Sequence, residues 1–177
     1  GQFMMNTLIP KYADSLGSTA TVVGLVSSAF TITALGLRPV TGPAIDYFKK
    51  TYMLRIAMSF TTIAFIVYSL STNITMLFIA RLIHGMGVGL TTPLALAMAS
   101  NTLPQNKVAS GLGMFSLGSA LATAIGPTIG LKLSVLIGYN STFIICAGLM
   151  ALALVLSFFI KGEEPQRTSR FKVSLKQ

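Results

Sequence analysis

The sequence has no tryptophan, one cysteine and one histidine among 177 residues. With Cys146 alone, a disulfide within the chain is excluded, and Cys146 with His84 leaves too few soft ligands for a metal cluster. No metal site and no cofactor are expected. Acidic residues number four, Asp14, Asp46, Glu163 and Glu164, and none falls inside a long apolar run. Charged residues of both signs make up 10%, against about 25% in an average soluble domain. Enzyme signatures are missing as well. No nucleotide-binding glycine loop ends in Lys-Ser or Lys-Thr, and there is no nucleophile elbow or zinc motif. Gly85-Met-Gly87-Val-Gly89 superficially suggests a nucleotide loop, but no strand precedes it and it lies in an apolar run. An enzyme is not expected.

What is abundant points to lipid. Hydrophobic residues make up 53%, with sixteen glycines, nine methionines and a mean hydropathy of +0.74. A soluble protein with buried helices would not need several successive apolar runs beyond about 18 residues. The formal net charge of +9 would suggest nucleic acid in a soluble domain. Here the basic residues fall at the ends of apolar runs, with no aromatic-interleaved basic surface, so the bilayer rather than a nucleic acid is the expected partner.

The chain divides into six apolar segments and a tail. Residues 1–12 read as the last part of a truncated first helix and 13–18 as a loop. Residues 20–40 form the second span, ending at Arg38-Pro39, and 41–51 a polar loop. Spans are then expected over 52–70, 76–100, 108–132 and 141–160, joined by 71–75, 101–107 and 133–140. The runs lack sustained alternation and exceed the roughly ten residues of a barrel strand, so helices are expected. The fold class is an all-α membrane protein, a six-helix transmembrane bundle occupying 1–160. Residues 161–177 change to a polar, basic composition and read as a tail or linker.

Alternating helices place the loops on two sides. One side receives Arg38, Lys49, Lys50, Arg55, Lys107, Lys161, Arg167, Arg170, Lys172 and Lys176; the other receives Lys11 and Lys132. By the positive-inside rule, the 41–51 loop, the 101–107 loop and the tail are expected in the cytoplasm.

One basic residue remains. Arg81 lies within a span, where it either snorkels outward or faces a polar cavity and holds an anionic or polar group. Gly85 and Gly89 follow on its face and thin that side, which favours the cavity. His84 reads as a packing histidine or as a proton relay. No span supplies a carboxylate, which weighs against proton coupling by this chain alone. Asp46 follows Gly42 by four residues and precedes Lys49 and Lys50. Gly42 would let a backbone approach, and the carboxylate could cap a neighbouring helix or pair with a base. Farther on, Gly118, Ala122, Gly126 and Gly130 recur every four residues with Pro127 among them. On a helix they form a side-chain-poor stripe for close packing, bent at the proline.

Three of these stretches together carry a resemblance. Gly42-Pro-Ala-Ile-Asp46-Tyr-Phe-Lys49-Lys50 is similar to the cytoplasmic motif between helices two and three of the major facilitator superfamily. Tyr47 stands where that motif has a base, and Lys49 where it has a glycine. Arg81-Leu-Ile-His84-Gly85-Met-Gly87-Val-Gly89 resembles the fourth-helix motif of the same superfamily. Ala122-Thr-Ala-Ile-Gly126-Pro127-Thr-Ile-Gly130-Leu131 resembles the fifth-helix motif associated with exporters, with Leu131 in place of a final glycine. The Arg38-Pro39 pair also resembles bacterial efflux members. The likeness is to the N-terminal half of such a transporter.

The resemblance implies alternating access between two six-helix bundles, with the C-terminal half as the missing partner. It implies a small-molecule substrate, exchange against protons, and a multi-pass location in a bacterial inner membrane with a cytoplasmic tail. Arg81, His84 and Asn6 become cavity or coupling candidates, and Gly42, Asp46, Lys49 and Lys50 a cytoplasmic gating motif. Gly85, Gly89, Gly118, Ala122, Gly126, Pro127 and Gly130 become packing and hinge positions. An uptake carrier for sugars or metabolites, a non-transporting membrane scaffold and a half-size carrier that dimerises are the competing readings.

Overall fold

The computed structural model describes residues 2–160. Gly1 and the expected tail at 161–177 lie outside the described residues. Seven α-helices follow in order: α1 (Gln2–Ser15), α2 (Ala20–Gly36), α3 (Arg38–Tyr47), α4 (Lys50–Leu70), α5 (Ile74–Thr102), α6 (Val108–Ile137) and α7 (Tyr139–Ser157). A short 3₁₀ turn at Gln105–Lys107 leads into α6. Among the described residues there is no strand. The helices α4, α5 and α7 are long and apolar enough to cross a bilayer, as is α6 together with the turn before it. A fifth span arises if α2 and α3 are taken together, bent by 43° at Leu37.

The chain closes a ring. Around it the neighbours run α1, α2, α5, α4, α7, α6 and back to α1, with α3 set against α5 at one end. Met5, Leu8, Phe65, Tyr68, Leu77 and Phe143 are fully buried and fill the centre. A second cluster, Ala44, Ile45, Met53 and Leu94, joins α3 to α4 and α5. Since lipid is as apolar as leucine, burial alone does not drive such helices together; fit and internal hydrogen bonds do.

Three local expectations are corrected. The polar loop expected over 41–51 is mostly helix, because α3 carries on to Tyr47 and only Phe48 and Lys49 separate it from α4. Pro39 in the first turn costs no helical hydrogen bond and presets φ, so a sequence that reads as a breaker starts a helix. The eight-residue connection expected over 133–140 shrinks to Gly138 alone. Its φ of +82° and ψ of 164° lie in a region essentially reserved for glycine. The first segment stays helical to Ser15 and ends at Gly17, whose φ is +78°.

At one end of the ring three helices are tied together. The Tyr12 hydroxyl donates to the Ser71 carbonyl at 2.5 Å, and the Tyr12 ring packs against Tyr139 and Phe143. Nearby, the Asn73 side chain accepts from the Met76 N–H at 2.9 Å and caps α5.

Candidate functional site

The polar centre of the bundle is built on α5, whose glycines let it sit deep between two neighbours. A Cβ placed on Gly85 would stand 2.5 Å from the Phe30 carbonyl oxygen of α2. One on Gly89 would be 3.0 Å from Ala34 Cα. Gly87, on another face of α5, abuts Thr61 and Ala57 of α4. Helix α5 therefore lies backbone-close to α2 on one face and to α4 on another, with Thr33 and Thr61 the small side chains at the contacts, as small residues permit in lipid.

This close approach encloses Arg81 and His84, which are 2% and 0% exposed. Arg81 lies seven residues beyond Ile74, about 10 Å along the helix. Its Cζ is 5.0 Å from the centroid of Phe30, which gives the cation an aromatic face. His84 is ringed by Phe65 at 5.1 Å, Phe30 at 5.2 Å and Tyr68 at 5.8 Å between ring centroids. His84 Nδ1 and the Tyr68 hydroxyl are 3.3 Å apart, and which of them donates depends on the tautomer.

The hydrogen bonding is incomplete. Nε and Nη1 of Arg81 and Nε2 of His84 are buried without a partner. Leaving such groups unmet costs about 1–3 kcal/mol each, and more where the group is charged. The cluster thus holds one fixed cation and three idle nitrogen sites beside a phenol. Chemically it suits an anionic or strongly polar group that accepts hydrogen bonds.

The other sequence candidates fall elsewhere. Asn6 is on the exposed side of α1, outside the enclosed cluster. Gly42 and Asp46 are exposed on α3, and a Cβ on Gly42 would meet nothing within 4 Å among the described residues. No backbone approaches Gly42 among the described residues. Lys49 is exposed, while Lys50 sets its ammonium against the Asn101 side-chain oxygen, with that amide turned so that its oxygen accepts. Among the described residues, no three of His, Cys, Asp and Glu gather where a metal could be held.

The stripe on α6 divides in two. Gly126 and Gly130 pack on α1, where added Cβ atoms would lie 3.4 Å from Phe3 Cβ and 3.1 Å from Met4 Cβ. Gly118 and Ala122 are exposed, and nothing lies within 4 Å of a Cβ on Gly118. Helix α6 runs unbroken through Pro127. Sequence reasoning did not single out Phe30, Phe65 or Tyr68, which complete the histidine's surroundings. Their only signal was aromatic character inside apolar runs, which most core residues share.

The sequence profile of the Major Facilitator Superfamily matches residues 1–176. The chain belongs to this superfamily of membrane transporters. Among curated relatives, the staphylopine export protein of Staphylococcus aureus is 28% identical over 88% of this chain and 38% of its own length. The multi-drug resistance efflux pump PmrA of Streptococcus pneumoniae is 29% identical over 93% of this chain and 42% of its own. The quinolone resistance protein NorA of S. aureus is 22% identical over 92% and 42%. The chain therefore spans about two fifths of the length of these relatives, and its likeness to them is that of a superfamily bundle.

Proposed function

We propose that this chain forms the N-terminal bundle of an exporter of small organic molecules, working by alternating access against a second six-helix bundle. The observation that carries the reading is the open face of α6. Of its most apolar window 11% is buried, against 44% for α4 and for α5. Leu117, Leu121 and Ile125 stand 61%, 61% and 52% exposed along it. Lipid could cover those side chains, but Gly118 and Ala122 on the same helix favour another helix at close range. The relatives named for export and efflux supply the direction.

In this reading Arg81 and His84 bind a polar or anionic group during part of the cycle, which supplies the idle Arg81 nitrogens with acceptors and meets His84 Nε2 as its tautomer requires. Proton exchange is assigned to the complete carrier, with the titrating carboxylate outside α4, α5, α6 and α7, which contain none. The loop side bearing Lys49, Lys50 and Lys107 faces the cytoplasm of a bacterial plasma membrane. Asp46 sits in the last turn of α3, where the helix dipole disfavours an anion. A base or helix N-terminus of the second bundle would relieve that, and would latch the cytoplasmic side.

The test is to express the whole gene in cells stripped of their own efflux pumps and follow a panel of fluorescent organic cations and anions. Energy-dependent loss of dye is expected, abolished by a proton ionophore. Accumulation in place of loss would make the protein an uptake carrier. No flux of any solute at normal membrane levels would leave the scaffold reading.

A further inference from the structure

A second polar feature lies away from Arg81, on the outside of the bundle where α4 meets the end of α7. Tyr52, Arg55, Ile56, Ser59, Phe60 and Ile63 on α4 and Phe158 after α7 line a groove of about 340 Å³. Arg55 is its one cation. The guanidinium lies 4.6 Å from the Phe158 ring centroid, and its Nη2 donates to the Ser157 carbonyl over a long 3.4 Å. Its Nε is buried and has no partner.

Arg55 is five residues from Lys50 at the start of α4, about 7.5 Å along the axis, which is headgroup depth for a helix that begins at the membrane surface. Beyond it toward the membrane centre the wall becomes apolar, with Ile56, Phe60 and Ile63. A lone cation with idle hydrogen-bonding capacity above an apolar trough is complementary to a phosphate carrying acyl chains. A free phosphate would gain nothing from the trough, and a neutral hydrocarbon would leave the guanidinium unanswered.

We propose that this groove binds an anionic glycerophospholipid, with Arg55 holding the phosphate and the Ile56, Phe60 and Ile63 wall receiving an acyl chain. The leaflet involved rests on the orientation given under Proposed function, whereas the binding itself does not. Mass measurement of bound lipid needs no orientation and no flux, so it fails or succeeds independently of that reading.

The experiment uses the full-length protein in a mild detergent, with native mass spectrometry of adducts. Phosphatidylglycerol and phosphatidylcholine with identical acyl chains compete at equal concentration, and inorganic phosphate is added in a separate arm. Wild type should retain phosphatidylglycerol preferentially, and phosphate at millimolar concentration should not displace it. Arg55→Gln should lower phosphatidylglycerol occupancy about fivefold, the usual effect of one basic group on an anionic lipid. Arg55→Lys should keep most of the preference, and Ser59→Phe, which fills the groove without touching the charge, should abolish it. Should Arg55→Gln not fold, the Arg55→Lys and Ser59→Phe pair decides. Equal retention of both lipids by wild type, displacement by inorganic phosphate, or unchanged occupancy in Ser59→Phe would each overturn the proposal.

Discussion

His84 Nδ1 and the Tyr68 hydroxyl sit 3.3 Å apart in a sealed interior, joining α5 to α4 through side chains 0% exposed on both sides. Because His84 Nε2 has no partner, this contact is the one hydrogen bond shown for the ring. Tyr68→Phe keeps the ring packing and removes the bond. The expected loss is about 0.6 kcal/mol, the average for hydrogen bonds between membrane helices, and no more than about 1.7 kcal/mol. Unfolding in mixed micelles with increasing dodecyl sulfate measures it. An unchanged midpoint would show that the contact contributes nothing.

Arg81 is enclosed with two idle nitrogens and an aromatic face at 5.0 Å. In the full-length transporter, Arg81→Ala should lower flux at least tenfold at normal membrane abundance, and Arg81→Lys should recover part of it. Arg81→Met should leave the melting temperature equal to or above wild type, since it removes an unpaired buried charge. Full flux in Arg81→Ala would remove this residue from the binding machinery.

The glycines of α5 and α6 should not respond alike. Gly85→Ala and Gly87→Ala place a Cβ against the backbone of α2 or against Thr61 and Ala57 of α4. Overpacking of this kind costs about 1–3 kcal/mol. Gly118→Ala meets open space and should leave the isolated bundle unaffected. Thermal melting of the three variants in one detergent gives the comparison. Equal shifts at all three would contradict the packing described here.

Gly126→Leu should insert normally into the membrane yet block transport. Its side chain would press on Phe3 and Met4 of α1, 3.4 Å and 3.6 Å from the modest position of a Cβ. Flux and surface abundance measured together decide this, and wild-type flux would refute it.

Orientation is testable with an impermeant thiol reagent in a Cys146→Ala background. Lys49 and Thr72 are both exposed and lie beyond opposite ends of α4. Thr72 leaves the neighbouring Asn73 cap of α5 intact. In intact cells Thr72→Cys should label and Lys49→Cys should not. The reverse pattern would invert the topology.

The spans were legible because apolar runs in lipid have one structural outcome; Gly85 and Gly89 lie where α5 meets α2. The partner of that contact was not legible. Nothing local to Arg81 points to Phe30, which is 51 positions earlier and meets it only once α2 and α5 pack. The 41–51 stretch misled because Gly42, Pro43 and Asp46 are turn-formers by composition. Pro39 at the second helical position starts a helix there, and burial of Ala44 and Ile45 against Met53 and Leu94 holds it. On the glycine stripe, Gly126 and Gly130 close on α1, a segment too short to announce itself as a span.

Gly138 is the whole of the link between α6 and α7, and its dihedral angles suit no other residue. A joint one residue long leaves no slack. Any tilt of α6 would carry the first turn of α7 with it, along with Tyr139 and Phe143 that pack on Tyr12. The two helices therefore act as a crank with its elbow at Gly138. At its opposite end α6 is joined to α5 by a longer link, an extended Leu103 followed by a single 3₁₀ turn.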